Sequence, residues 1–276
     1  MLKQRVFTAA ALLTGLLAAL FFLPAVAWLL LVSAVAGLGA WEWARLSRFP
    51  QPYDWVYAGV GACLLFLLGG AGLFSIDEHF AMRLLAVLLF GVSAAFWILL
   101  VPLWLLRGWQ LQSPYHSMVA GWVVLLPAGL ALVLLRELNP WLLLGAMALV
   151  WIADIGAYFA GRAFGRRKLA PSISPGKTWE GVFGAVLGVV GVGVLLVLLW
   201  LGDARPPLMA VAAFLVLLTA VSVEGDLFES MLKRQRGVKD SGTLLPGHGG
   251  ILDRIDSLTS TLPMTSLVVI WLGYFS

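Results

Sequence analysis

Apolar runs of about twenty residues recur along the whole chain and are separated by short polar segments. An α-helix of this length crosses the roughly 30 Å hydrocarbon layer of a bilayer. Backbone amides must bond to one another inside that layer, and the runs lack the alternation of polar and apolar residues that barrel strands need. Only 12% of the 276 residues are charged, whereas a soluble domain has roughly 25%. The sequence therefore predicts an all-α polytopic integral membrane protein.

Nine membrane spans are expected, with a cytoplasmic N-terminus and a periplasmic C-terminus. The first two runs could form one helix, but their combined length favours two helices joined by a tight turn at Pro24. Residues 1–140 are interpreted as a transmembrane scaffold and residues 141–276 as the region that carries the chemistry, within one continuous membrane domain. The predicted spans are roughly 6–23, 25–41, 54–74, 83–105, 118–136, 140–160, 179–201, 207–225 and 257–275.

Basic residues are distributed unevenly between the two sides of this topology. Of the 18 Lys and Arg residues, only Arg83, Arg136 and Arg205 fall on the periplasmic side. Cytoplasmic loops are enriched in Lys and Arg, so the distribution supports a multi-pass protein of a bacterial inner membrane whose polar loops face the cytoplasm. The net charge of +4 identifies no partner, because basic loops also face anionic membrane lipids. No nucleic acid is expected to bind.

The longest polar segment, residues 226–256, alternates acids and bases. Asp253 and Asp256 stand three apart, so a helix from Ile251 onward would place them on one face, where they could bind a cation together. A solvated helix start could carry the same pair. This helix enters the membrane directly, however, where an unpaired charge is expensive and usually functional. Both residues are therefore candidate metal ligands.

Glycines surround His248 within the same segment. Gly247, Gly249 and Gly250 would let backbone N–H groups approach an anion closely, and the following helix would add the positive end of its dipole. This arrangement predicts a phosphate site, although a flexible connector with a helix cap would have a similar sequence. We expect His248 to donate a hydrogen bond to a phosphate. The alternatives are a metal ligand and a loop residue that is hydrogen-bonded to backbone.

Four bases supply positive charge to the segment. Lys233, Arg234, Lys239 and Arg254 could simply orient the protein or contact lipid headgroups. Their interleaving with acids such as Asp240 favours another interpretation. A polyphosphate with a bound divalent metal needs both signs of charge, carboxylates for the metal and Lys or Arg for the uncovered oxygens.

A second polar segment, residues 161–178, contains further side chains that could donate hydrogen bonds to a phosphate. Ser174, Lys177 and Thr178 precede a predicted helix. The Gly-Lys-Thr sequence that ends at Thr178 suggests a P-loop, but the Walker A motif needs a glycine where Pro171 stands, and no βαβ unit is present. An ordinary helix start is the alternative interpretation.

An acid within the sixth predicted span completes the set of candidates. Asp154 lies about two turns from the cytoplasmic end of that span, and a buried acid there should pair with a base or face the site. Segments 161–178 and 226–256 are joined by two spans that leave and return to the same side. We therefore expect them to form one cytoplasm-facing cavity, in which 226–256 holds the metal and a polyphosphate.

At this level of detail the sequence closely resembles the phosphatidate cytidylyltransferases, and the resemblance covers roughly residues 150–260. Its main motif is Ser230-x-x-Lys233-Arg234-x-x-x-x-Lys239-Asp240-x-x-x-x-x-Pro246-x-His248-Gly249-Gly250-x-x-Asp253-Arg254-x-Asp256. Two shorter motifs resemble the same family, Ala153-Asp154-x-Gly156-Ala157-Tyr158 and Ser174-Pro175-Gly176-Lys177-Thr178-Trp179-Glu180.

The resemblance implies a nucleotidyltransferase of phospholipid biosynthesis that uses CTP, phosphatidic acid and either one or two Mg²⁺ ions, with Mn²⁺ able to substitute, and that forms a homodimer. It also implies that Asp226 and Asp253 are metal ligands. A phosphatidate oxygen would attack the α-phosphorus of CTP in line, and pyrophosphate would leave. We expect Asp226, Asp253, Asp256 and Lys239 to act on the reacting groups.

Other membrane proteins fit less well. A CDP-alcohol phosphatidyltransferase would resemble an Asp-Gly…Ala-Arg…Gly…Asp…Asp pattern, which the sequence lacks. A lipid kinase remains an alternative user of a nucleotide. A secondary transporter would carry its charges near the bilayer midplane, commonly within repeats, whereas this chain gathers them at one surface.

Overall fold

The computed structural model describes residues 2–71, 80–110, 113–201 and 206–273. Within these ranges the chain is almost entirely helical. A π-helical turn, Phe96–Leu100, joins the fourth and fifth helices into one rod. The α-helices are α1 (Leu2–Phe22), α2 (Ala25–Leu46), α3 (Tyr53–Gly70), α4 (Phe80–Ala95), α5 (Val101–Arg107), α6 (Pro114–Leu138), α7 (Pro140–Phe164), α8 (Trp179–Leu201), α9 (Leu208–Gln235) and α10 (Leu252–Trp271).

Among the described residues, seven helices are long and apolar enough to cross a membrane, so the all-α polytopic class is confirmed. They are α2, α3, the rod from α4 to α5, α6, α7, α8 and α9. The apolar part of α1, Val6–Phe22, is shorter, and α10 opens with Asp253, Arg254 and Asp256. The count of nine spans and the side on which each terminus lies stay predictions.

The first two apolar runs form two helices, as predicted. α1 ends at Phe22 and α2 begins at Ala25, with Pro24 as its N-cap residue. Proline suits this place, because its fixed φ fits the start of a helix and its missing N–H would have had no partner there.

The helix α10 is rich in serine and threonine and lies inside the helical bundle. It packs against α4, α6, α7 and α9, and Ser260 and Leu262 are completely buried. Hydroxyl groups bind it to α9: Ser257 Oγ donates to the carbonyl of Ser222 at 3.1 Å, and Ser260 Oγ to that of Val221 at 2.8 Å. Protein rather than lipid therefore surrounds α10, which is why a polar sequence is tolerated there.

The helices α9 and α10 approach each other closely at Gly225. A Cβ atom at this position would lie 2.7 Å from the carbonyl oxygen of Asp256 and 2.8 Å from the hydroxyl of Ser260. Any larger residue would force the two helices apart. Asp226, the next residue on α9, is consequently close enough to Asp256 for their charges to interact.

The end of α9 differs from the prediction. The span was expected to end near residue 225 and lead into a loop, but the helix continues to Gln235. Side chains one turn apart stabilise the extension: Ser230 Oγ donates to Oδ1 of Asp226 at 3.2 Å, and Nζ of Lys233 lies 3.1 Å from Oε1 of Glu229. These residues therefore lie on a rigid helix and not in a loop.

A short β-ribbon lies between α7 and α8 and was not predicted. Strand β1 (Lys168–Ala170) pairs antiparallel with strand β2 (Ser174–Thr178), with Lys168 opposite Thr178. β2 leads directly into α8, so the second predicted polar segment is an ordered ribbon that holds Lys177 next to the start of a helix.

Candidate active site

The two polar segments that the sequence singles out are in direct contact. Nζ of Lys177 on β2 lies 2.7 Å from Oδ2 of Asp226 on α9. A second contact lies between the same segments, because Nε of Arg234 donates to the backbone carbonyl of Ile173 at 3.3 Å. The predicted convergence of the segments is therefore observed.

A cavity of about 200 Å³ lies beside this ion pair and is called the Lys177 cavity below. Its lining includes Lys177, Thr178 and Asp226, together with Asp154 and Tyr158 of α7. Asp154 faces this cavity, as one of the two predicted alternatives required, although its side chain is exposed and not buried.

Three carboxylates share this region. The charge of Asp226 acts on both Asp154 and Asp256, and the charge of Asp154 also acts on Asp256. Lys177 and Arg254 are cations close enough to offset part of the negative charge at Asp154. Carboxylates gathered in this way repel one another and are stabilised by a bound cation, and their oxygens are the ligands that Mg²⁺ prefers.

The carboxylates do not form a complete metal cage. Within the parts of the chain that the structure describes, no group of three or more His, Cys, Asp or Glu side chains is arranged to hold a metal ion. Mg²⁺ in nucleotide-using enzymes is usually held by one or two carboxylates together with substrate phosphates. Asp226 and Asp256 fit that incomplete type of site.

Asp253 lies at the first turn of α10, before the predicted span 257–275, and both of its carboxylate oxygens accept hydrogen bonds. Oδ1 lies 2.6 Å from Nζ of Lys233, while Oδ2 accepts from the backbone N–H groups of Ser241 and Gly250, each at 2.8 Å. Burial alone would raise the pKa of Asp253, but the bonds from Lys233, Gly250 and Ser241 hold its pKa below the ordinary value. The side chain is therefore an anion, and its role as a metal ligand stays a prediction.

Lys233 is buried between two carboxylates. Its ammonium group lies 3.1 Å from Oε1 of Glu229 on the same helix and 2.6 Å from Oδ1 of Asp253 on α10. Lys233 is one of the predicted substrate-binding residues. The observed contacts show instead that it joins α9 to α10 and fixes the side chain of Asp253, so its contact with substrate stays a prediction.

A larger cavity of about 670 Å³ lies over the loop before α10 and is called the His248 cavity below. Four of the predicted substrate-binding residues line it, Asp240, His248, Gly249 and Arg254, together with the predicted catalytic residue Lys239. The cavity therefore brings together three basic side chains and glycine backbone, as a polyphosphate site requires.

The backbone of this loop needs its glycines. Gly247 and Gly249 have φ angles of 76° and 84°, in the left-handed region that favours glycine. The turn is closed by two backbone bonds, from the N–H of His248 to the carbonyl of Leu245 and from the N–H of Leu245 to the carbonyl of Gly249, both at 2.9 Å. Nδ1 of His248 lies 3.5 Å from the carbonyl of Pro246, so the imidazole stays beside its own loop.

The single cavity that we expected is divided into two. The Lys177 cavity lies against α9, whereas the His248 cavity is formed by the loop that follows α9. They are separate because Asp226 belongs to a helix and not to that loop. Arg254 connects them, since it lines the His248 cavity and its charge acts on Asp154 in the Lys177 cavity.

Three of the predicted substrate-binding residues have a place in the secondary structure or make hydrogen bonds within the protein. Thr178 Oγ1 accepts a hydrogen bond from the N–H of Gly181 at 3.2 Å, which supports the helix-start interpretation for this residue. Ser174 begins β2, and Arg234 donates to the carbonyl of Val238 at 3.3 Å as well as to the ribbon. Neither Ser174 nor Arg234 is among the residues that line the two cavities.

Sequence reasoning missed Glu42, which is completely buried beside the loop. Its carboxylate accepts hydrogen bonds from the N–H groups of Ile251 and Leu252 and from the hydroxyl of Ser241. The second span was predicted to end at residue 41, which left Glu42 in a connecting segment. The signal that could have found it is an acid inside an apolar helix, because α2 continues to Leu46.

Comparisons with known proteins identify the family of the chain. The model of the cytidylyltransferase family matches residues 3–272. A phosphatidate cytidylyltransferase of Pseudomonas aeruginosa is 41% identical over 273 residues, which cover 96% of this chain and 95% of the relative. Enzymes of the same name from Haemophilus influenzae and Brucella suis are each 38% identical, over 96% and 86% of this chain and 98% and 82% of their own lengths. With a match that includes both cavities and the helices that form them, the chain belongs to the cytidylyltransferase family.

Proposed function

We propose that this chain is a phosphatidate cytidylyltransferase, which transfers the cytidylyl group of CTP to phosphatidic acid and releases pyrophosphate. The observation that carries the proposal is the ion pair between Lys177 and Asp226, which joins the polar segments 161–178 and 226–256 at one cavity. The names of the similar proteins support the choice of substrates.

The His248 cavity is suited to the triphosphate of CTP. Lys239, Arg254 and His248 provide hydrogen-bond donors, and the turn at Gly249 brings backbone close to the cavity. A triphosphate carries several negative charges, so cations on the cavity wall stabilise it in the bound state.

The Lys177 cavity is suited to the phosphate of phosphatidic acid. Lys177 provides the cation, and exposed apolar side chains, including Phe159 and Phe183, stand on the surfaces of α7 and α8 beside it. A lipid could therefore keep its acyl chains against the membrane-facing helices while its phosphate enters the cavity. Arg254 lines the His248 cavity and its charge acts on Asp154 in the Lys177 cavity, which supports a role for this residue in binding the phosphates of both substrates.

The reaction needs charge stabilisation more than proton transfer. A phosphatidate oxygen forms a bond to the α-phosphorus of CTP while the bond between that phosphorus and the bridging oxygen of pyrophosphate breaks. The attacking oxygen is already an anion, so no strong general base is needed. The barrier comes from repulsion between anions and from charge on the leaving group, which Lys177, Lys239 and Arg254 counter.

Mg²⁺ is the cofactor that we propose, with Mn²⁺ as a substitute. Asp226 and Asp256 would hold it, and Asp253 stays a predicted ligand. The donor set fits, because it consists of carboxylate oxygens with excess negative charge. A bound Mg²⁺ would neutralise phosphate oxygens of CTP and of the leaving pyrophosphate.

The setting of the enzyme belongs to the same proposal. We propose a bacterial inner-membrane location, a site that faces the cytoplasm where CTP is found, and a homodimeric assembly. Its partners are CTP, phosphatidic acid and membrane lipids, without nucleic acid.

The proposal is tested by incubating the purified protein in detergent with CTP, phosphatidate and Mg²⁺, and measuring pyrophosphate. Release should require all three components and should stop on addition of a chelator. A CDP-alcohol phosphatidyltransferase would instead release CMP from CDP-diacylglycerol and an alcohol. Absence of pyrophosphate release from CTP and phosphatidate would contradict the proposal.

A further inference from the structure

A carboxylate from the first half of the chain lies against the loop of the His248 cavity. Glu42 stands near the end of α2, and none of its surface is exposed. Oε1 accepts a hydrogen bond from the N–H of Ile251 at 3.0 Å, and Oε2 accepts one from the N–H of Leu252 at 2.9 Å. The region that we interpreted as scaffold therefore makes direct contact with the start of α10.

Glu42 supplies the N-terminal cap that α10 lacks. Ile251, the N-cap residue of α10, makes no side-chain cap hydrogen bond. The first N–H groups of a helix have no partner within the helix and form the positive end of its dipole. A carboxylate placed there satisfies two of these N–H groups and is itself stabilised by the dipole. The cap of α10 thus comes from another helix.

Ser241 links Glu42 to Asp253. The hydroxyl oxygen of Ser241 lies 2.9 Å from Oε2 of Glu42 and 3.0 Å from Oδ2 of Asp253. A hydroxyl has one proton and donates it to one acceptor at a time, while the N–H of Ser241 donates to Asp253 at 2.8 Å. The position of Asp253 therefore depends on Ser241 and on the first turn of α10, and Glu42 holds both.

Two glycines let the loop close over the carboxylate. A Cβ atom at Gly242 would lie 2.5 Å from Oε1 of Glu42, and one at Gly250 would overlap the same carboxylate and the hydroxyl of Ser241. The loop backbone is thus in tight contact with Glu42 on two sides. A change in this carboxylate would be transmitted directly to the loop.

Burial of the Glu42 carboxylate removes it from water, which costs free energy. Among the described residues, the ion pairs within 4.0 Å are those of Lys177 with Asp226 and of Lys233 with Glu229 and Asp253, and none of them includes Glu42. The hydroxyl of Ser241 and the N–H groups of Ile251 and Leu252, which donate to its carboxylate, are all neutral. Hydrogen bonds from these three donors offset the lost hydration of the carboxylate, and the carboxylate in turn orders the donors.

We propose that Glu42 is a positioning residue of the active site. It holds the N-terminus of α10 together with Ser241, and through them it fixes the orientation of Asp253 and the loop 239–250. It acts without touching either substrate. The inference rests on the proposed function, in which this loop and Asp253 act on the metal and the triphosphate.

The variant Glu42→Gln tests this role at constant size. Its amide offers one acceptor oxygen and an NH₂ group that would face the N–H groups of α10. Catalytic efficiency for CTP should fall by about 10-fold to 100-fold and the Mg²⁺ concentration for half-maximal activity should rise, while KM for phosphatidate stays close to its original value. Without substrates, the backbone amides of 241–253 should exchange with deuterium faster than in the unchanged protein.

Asp54→Asn is the matched control. Asp54 is another buried carboxylate of the first half, 2% exposed in the first turn of α3, where it accepts the N–H of Trp55 at 2.9 Å. Its neutralisation should lower thermal stability without changing the Mg²⁺ requirement or the deuterium exchange of 241–253. A general loss of stability is thereby separated from a loss of positioning.

Ser241→Ala tests the contact between Glu42 and Asp253 separately, and it can be measured even if Glu42→Gln does not fold. It should raise the deuterium exchange of 241–253 and the Mg²⁺ requirement, each by less than Glu42→Gln does. Unchanged exchange of 241–253 in the folded variants would overturn the role of Glu42. Deuterium exchange does not depend on the reaction, so failure of the Glu42 proposal can be told apart from failure of the proposed function. Failure of the proposed function would appear as no turnover in the unchanged protein.

Discussion

Nζ of Lys177 and Oδ2 of Asp226 lie 2.7 Å apart, so the β-ribbon and α9 are joined by an ion pair at the wall of the Lys177 cavity. Their side chains are 25% and 30% exposed, which leaves both accessible to a ligand. A phosphate would compete with Asp226 for the ammonium group, and a cation would compete with Lys177 for the carboxylate. The pair can therefore exchange its internal contact for contacts with substrate and metal.

Removal of the charge at Lys177 should impair catalysis. Lys177→Gln keeps the length and helix propensity of the side chain but removes the ammonium group that a phosphate needs. We expect the catalytic efficiency to fall by about a hundredfold, measured separately for CTP and for phosphatidate.

The control for this variant is Lys168→Gln, because Lys168 is an exposed lysine on the other strand of the same ribbon. It should retain the original efficiency. If Lys177→Gln also retains it for both substrates, β2 is only a helix start, and the role of Lys177 is refuted.

Neutralising the acids of the proposed metal site should abolish turnover. Asp226→Asn and Asp256→Asn each remove one carboxylate from a group whose charges already repel, so folding should be preserved while Mg²⁺ binding is lost. Steady-state rates should fall by about a hundredfold or more, with partial recovery in Mn²⁺.

The exposed Glu137 offers a control at the end of α6, because Glu137→Gln should leave the rate unchanged. Asp253→Asn should be severe as well, either through metal binding or through the network with Lys233. Near-original activity in Asp226→Asn would remove Asp226 from the metal site.

The buried position of Lys233 predicts a large loss of stability on its replacement. Lys233→Met would leave the carboxylates of Glu229 and Asp253 without their cation in the protein interior. The free energy of unfolding should fall by about 3–5 kcal/mol, which a thermal or denaturant melt in detergent would detect.

Arg234 is the neighbouring residue on the same helix, and its side chain is exposed. Arg234→Gln should therefore change the melt far less. Equal stability of the Lys233→Met and Arg234→Gln proteins would contradict the structural role of Lys233.

The main architecture could be predicted from sequence because membrane burial imposes a simple pattern. Apolar runs of sufficient length identified the helices, and Pro24 fitted the break between α1 and α2. The motif from Ser230 to Asp256 identified the family and most of the residues that line the His248 cavity. These features depend on local composition and spacing, which a sequence displays directly.

The remaining features depend on packing between distant segments. The contact of Lys233 at the end of α9 with Asp253 on α10 joins residues twenty positions apart, and the spacing of charges along α9 does not show it. The cap that Glu42 supplies to Leu252 joins residues from opposite halves of the chain. The separation of the two cavities follows from the extension of α9 to Gln235, so it could not be predicted while Asp226 was assigned to a loop.

The proposed orientation can be tested by labelling introduced cysteines. Cys63 is the only cysteine of the chain, so it is first replaced by alanine, and single cysteines are then placed at Lys177, His248 or Ser276. A membrane-impermeant thiol reagent applied to intact cells should label position 276, which lies outside the described residues, and should leave positions 177 and 248 unlabelled. Both should be labelled in opened membranes. Labelling of position 248 in intact cells would contradict a cytoplasmic site.

The most direct test of the account follows the fate of individual phosphorus atoms of CTP. Purified protein in detergent is given phosphatidate, Mg²⁺ and CTP that is radiolabelled at either the α- or the γ-phosphorus, and the lipid and aqueous phases are counted. Cytidylyl transfer predicts that the α-label enters the lipid and the γ-label appears only in pyrophosphate, and that Asp226→Asn abolishes both. Transfer of the γ-label to lipid would indicate a kinase, and no lipid label from either position would contradict cytidylyl transfer.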